Sequence, residues 1–146
     1  METFFTPLSI FVATCASFVV GAIWYSPLLF INAWMKGEGV TKNQLPKRSK
    51  SYMARIQLYS FIAHGAMASV LAVIFDLLRI SSLRVAVSLG LLLALGFIIT
   101  TRFIDMVYTI HGNHYDAKSQ IKFLVSSGYY VVVVVVMSTA LFLLRG

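Results

Sequence analysis

The 146-residue chain is 59% hydrophobic and 12% charged, against about 45–50% and about 25% in soluble domains. A soluble domain of this length keeps much of its area in water and could not hide so much apolar surface. The net charge of +7 comes from residues just outside the apolar runs, as in anchors facing anionic headgroups, so no nucleic-acid partner is expected.

The first apolar run predicts a membrane-crossing helix over 7–25, near the length of about 20 residues that a bilayer requires. Pro7 suits a first helical turn, Trp24 and Tyr25 set an aromatic pair at the interface, and Pro27 stops the helix. Ala13, Ser17 and Gly21 share one face, where small side chains let helix backbones approach. Cys15 is the single cysteine, which rules out an intrachain disulfide and reads as a small apolar side chain. Glu2 is the only charge before Lys36, so the run lacks a signal peptide's basic flank and is expected to be retained.

Leu28 to Met35 form a short apolar piece after Pro27, expected to lie along the membrane interface. Gly37, Gly39 and Pro46 then mark an irregular basic loop. A second span is expected over 56–75, with Asp76 and Arg79 as an exposed pair at its exit. Inside it, His64 is the deep group whose ordinary pKa permits proton exchange near neutrality. It reads either as a packing histidine bonded across helices or as a functional one.

A third span is expected over 83–108, with Ala86, Gly90 and Ala94 as a second small-residue stripe. Arg102 and Asp105 share a face and can form an ion pair. Arg102 lies about 29 Å along the helix from Leu83, near the hydrocarbon edge, which leaves both an anchor and a functional polar site open. His111, His114 and Asp116 could ligate a metal; equally, they could form a turn with Asp116 capping the next helix. The fourth span is expected over 121–144, its Val131–Val136 block helical because lipid leaves no other partner for the backbone.

Basic residues fix an orientation. Lys36, Lys42, Lys47, Arg48, Lys50 and Arg55 follow the first span, and Lys118 and Lys122 follow the third. The other side carries Arg79, Arg84 and Arg145, so the count is eight against three. Both basic loops are therefore expected in the cytoplasm and both termini outside it. The reading is an all-α integral membrane four-helix bundle in one domain over 1–146. Its partners are the lipid bilayer, anionic headgroups at the basic loops, and either another copy or a different membrane protein. The small-residue stripes are expected to pack within the chain before they pack between copies.

The segment Gly21-Ala22-Ile23-Trp24-Tyr25-Ser26-Pro27-Leu28-Leu29-Phe30, followed by Ala33-Trp34-Met35, resembles the signature of an uncharacterised family of small four-span membrane proteins, DUF1761. Gly96-Phe97 with Thr100-Thr101 is similar to that family's third span, and Gly128-Tyr129 to the opening of its fourth. Ile31-Asn32 stands where members often carry Gly-Lys, and the histidine-bearing loop has no counterpart in the pattern. The resemblance implies the four-span architecture and supplies no catalytic residues.

No nucleophile triad, phosphate-cradling glycine loop, zinc cysteine pairs or dinucleotide fingerprint occurs, and no cofactor is expected. The scarcity of deep polar groups favours a non-catalytic scaffold or accessory subunit, for which no cavity should join His64 to Arg102 and Asp105. The alternative is a membrane-embedded enzyme that tailors a lipophilic metabolite by proton transfer, isomerisation or oxidation. It requires His64, Arg102 and Asp105 to converge on one cavity. A small transporter or channel is a third reading, with little room for a pore in one four-span bundle.

Overall fold

Apolar runs of this length can satisfy their backbone in lipid only as helices, and helices are what the chain forms. A computed structural model describes residue 4, residues 6–108 and residues 116–146. Among the described residues there are five helices and no strand: α1 (Pro7–Trp24), α2 (Ile31–Glu38), α3 (Lys50–Leu77), α4 (Leu83–Val107) and α5 (Ala117–Leu143). All but α2 are long and apolar enough to cross a membrane, as in a multi-pass membrane protein. Leu8, Val70, Leu92 and Leu124 stand exposed on the outer surface, a pattern that hydrocarbon accepts and water penalises.

Polar caps, which hydropathy does not weigh, decide where the helices start. Thr6 and Ser9 form a reciprocal capping box around Pro7. Ser49 accepts the Tyr52 N–H at 3.2 Å, so α3 begins at Lys50 rather than at 56. Asp116 accepts the Ser119 N–H at 2.7 Å, and α5 likewise begins at Ala117 rather than at 121. The expected irregularity at Gly37 is corrected: it lies inside α2, and Gly39 ends that helix with a left-handed φ of 70°. A Cβ on Gly37 would stand 2.8 Å from the Lys122 backbone nitrogen, so α2 lies against the backbone of α5. Glu38 and Lys122 pair at 3.0 Å across that contact.

Helix α5 is the hub. It packs on α1, α2 and α4 and more lightly on α3, and it is the most buried of the four long helices. Ala13, Ser17, Ala86 and Ala94 are fully buried. A Cβ on Gly90 would collide with Ser138 Oγ and meet Val134 Cγ1 at 3.0 Å. The stripe on α4 is therefore consumed within the chain, against α5. Helices α3 and α4 do not pack closely on each other, which leaves a cleft between them. Within α4, Ala94–Ile99 form a π-turn, where the Thr100 and Thr101 hydroxyls each donate at 2.6 Å to the carbonyls of Gly96 and Phe97. Asp76 is not the exposed partner expected at the exit of α3. It is half-buried and accepts the Phe4 N–H, beside the edge-to-face contact of Phe4 with Phe75 at 5.5 Å.

Candidate functional site

The site grows from the seam between α1 and α5. A Cβ on Gly21 would come within 3.1 Å of the Tyr129 hydroxyl, and one on Gly128 within 3.1 Å of the Trp24 ring. Each glycine therefore makes room for an aromatic ring of the other helix. Trp24 Nε1 donates to the Val125 carbonyl at 3.1 Å and fixes the register. The residues that carry the family resemblance in the first and fourth spans thus meet in space. Tyr25 continues the cluster, its ring 5.3 Å from Tyr129 and 6.4 Å from Trp34. Ser26 Oγ accepts the Leu28 N–H at 3.3 Å in the turn that Pro27 forces. Gly96 stands apart in the π-turn, with open space where a Cβ would sit.

The seam delivers the Tyr129 hydroxyl to His64 of α3, at 2.7 Å from Nε2. His64 Nδ1 lies 2.7 Å from the Ser60 carbonyl. A carbonyl oxygen can only accept, so Nδ1 carries a proton, and in the neutral ring Nε2 accepts the Tyr129 O–H. At 6% and 7% exposure, the two side chains need these bonds, since buried polar groups are costly when unpaired. His64 is thus bonded across helices, as one of its two sequence readings expected.

His64 and Tyr129 open onto a cavity of about 470 Å³ that also meets Tyr25, Gln57, Arg102 and Tyr130. It lies between the C-terminal end of α1, the first half of α3, the last turns of α4 and the first half of α5. That is the end of the bundle where the basic loops emerge. Arg102 is its one formal charge among the described residues. It donates to Tyr130 Oη at 3.1 Å, with the guanidinium carbon 5.1 Å from the ring centre.

His64 and Arg102 therefore converge, and Asp105 does not join them. It is exposed and lines a smaller neighbouring cavity of about 280 Å³, which shares Arg102 and Ser126 with the first. The expected Arg102–Asp105 ion pair is absent among the described residues. The guanidinium reaches Tyr130 of α5, while Asp105 is exposed. His111 and His114 lie outside the described residues. Asp116 acts as the cap of α5, and the Ser119 backbone N–H holds its carboxyl below the usual carboxylate range. Sequence reasoning missed Ser60, Gln57, Ser126 and Tyr130. Only the Ser60–His64 spacing, one helical turn on one face, could have flagged any of them.

A family model described as "Protein of unknown function (DUF1761)" matches residues 8–142, nearly the whole chain. No curated protein and no solved structure matches.

Proposed function

We propose, for a chain that belongs to the DUF1761 family, a multi-pass integral membrane protein whose cavity moves a proton on a lipophilic molecule. The carrying observation is that His64, Tyr129 and Arg102 line one cavity; of the expected set Asp105 lies on the neighbouring one, and Tyr129 takes its place as the proton-carrying group. Tyr129 gives its O–H proton to His64 Nε2 as its oxygen takes a proton from the bound molecule. The resulting imidazolium keeps its Nδ1–H on the Ser60 carbonyl, and Arg102 stabilises the anion formed. Return of the proton to another atom of that molecule completes an isomerisation, which needs no electron donor or acceptor. The basic loops face the cytoplasm and both termini lie outside it, in keeping with the eight-to-three charge bias.

The test is the lipid profile of cells lacking this chain, restored with wild type, His64→Ala or Tyr129→Phe at matched protein levels. One lipophilic species should change with wild type only. Equal restoration by His64→Ala would overturn the proposal.

One observation favours the scaffold reading instead: both ring nitrogens of His64 already have partners in a nearly closed setting. On that reading an enlarged Gly90 abolishes the cellular phenotype while His64→Ala leaves it intact.

A further inference from the structure

The cleft between α3 and α4 continues beyond the polar cavity. Farther from the basic end, three of the helices around it flank a second, more open cavity of about 470 Å³, lined by Met67 and Leu71 of α3, Ala94 and Ile98 of α4, and Val134 and Met137 of α5. The two linings share no residue, but they follow one another along α3, α4 and α5. Ile98 lies one turn from Arg102, and Val134 one turn from Tyr130, at the spacing that keeps side chains on one helix face. No charged residue lines this second part. Its α4 wall is the π-turn Ala94–Ile99, an irregularity often found beside binding sites.

We propose that the cleft binds one single-chain amphiphile, with the anionic oxygens of its head at Arg102 and its chain in the apolar groove between α3 and α4. This names the substrate class of the proton-transfer site and rests on that reading for its use, although binding itself requires no chemistry. The head is anionic because the polar cavity offers a guanidinium and tyrosine hydroxyls and, among the described residues, no carboxylate. Asp105 lies on the smaller cavity beyond. The chain is single because two helices that do not pack on each other leave one groove between them. From Ser126 to Met137 the two parts extend about 16 Å along α5, a head and a chain placed end to end.

Three probes with the same oleoyl chain test this: oleate, oleoyl lysophosphatidate and uncharged monooleoylglycerol. Each is offered to the full chain in non-ionic detergent, and retention is read by native mass spectrometry. The anionic probes should stay bound one per chain, about tenfold more than the neutral one. The carboxylate and phosphate arms tell which head is preferred. Arg102→Gln should erase the anionic preference, Arg102→Lys should keep part of it, and Val70→Trp, which fills the groove, should lower retention of all three. Equal retention of charged and neutral probes by wild type, or an unchanged preference in Arg102→Gln, would overturn the inference. If Arg102→Gln fails to fold, the three probes on wild type still decide. Retention of anionic probes together with a lipid profile indifferent to His64 would keep this inference and remove the proton-transfer reading. A His64-dependent profile with no anionic preference would do the reverse.

Discussion

The two cavities of the α3–α4 cleft have the same volume, about 470 Å³, and opposite chemistry. Near the basic end the walls carry His64, Arg102, Tyr129 and Tyr130; a turn or two deeper they carry leucine, valine, methionine and phenylalanine. The polar part is tied into the bundle by hydrogen bonds from α3 and α4 to α5. Among the described residues the apolar part has no such ties, and Phe97 on its rim is 71% exposed. The polar wall thus contributes to holding the helices together, whereas the apolar wall is an open face of exposed side chains. That difference can be broken or sharpened by substitution.

The largest effect is expected from Gly90→Leu, which attacks the close contact between α4 and α5. With Ser138 Oγ and Val134 in the way, overpacking should cost about 3 kcal/mol or more. Thermal unfolding in detergent should show a large fall in midpoint. Normal stability would mean that α4 does not rest on α5. Tyr129→Phe comes next: it leaves the nearly buried His64 Nε2 without its partner, at a cost of about 1–3 kcal/mol in the same assay. Phe97→Ala in the apolar wall, although it deletes a whole ring, should change stability by less than about 0.5 kcal/mol because the ring is exposed. If Phe97→Ala cost more than Tyr129→Phe, the contrast between the walls would be reversed.

The smallest effect lies outside both cavities and gives a baseline. The Asp116 carboxyl is lowered by the Ser119 N–H, so its capping contribution is present above the unfolded carboxylate pKa. That contribution is lost as pH falls through the lower folded value. Asp116→Asn should therefore remove a slight acid-side loss of stability and leave the neutral-pH midpoint nearly unchanged. A large neutral-pH loss would show that the cap matters more than a single half-buried hydrogen bond accounts for.

Much of the architecture was legible because apolar runs of bilayer length have few physical solutions. The α4 stripe was legible too, since Ala86, Gly90 and Ala94 at helical spacing are useful only against another backbone. The helix start at Lys50 was not, because a single polar cap extends α3 into basic sequence; the start at Ala117 was offered by Asp116 as a cap, although hydropathy alone put the span at 121. The site was half legible. His64 and Arg102 announce themselves as ionisable groups within apolar runs, but their partners do not. Tyr129 is 65 residues from His64, and Tyr130 is 28 from Arg102, so only the packing of α5 selects them. Local spacing instead suggested Asp105 for Arg102, which tertiary contact overrides.

The central claim is that water and polar ligands reach the His64 cavity from the basic side of the membrane, whereas the groove beyond it sees only lipid. Single cysteines at Ser60 and Val70, in a chain where Cys15 is replaced by alanine, test this with a membrane-impermeant maleimide applied to sealed vesicles of each orientation. Ser60→Cys is expected to react from the cytoplasmic face alone, and Val70→Cys from neither face. Labelling of both from one side, or of Ser60→Cys from the opposite face, would contradict the account.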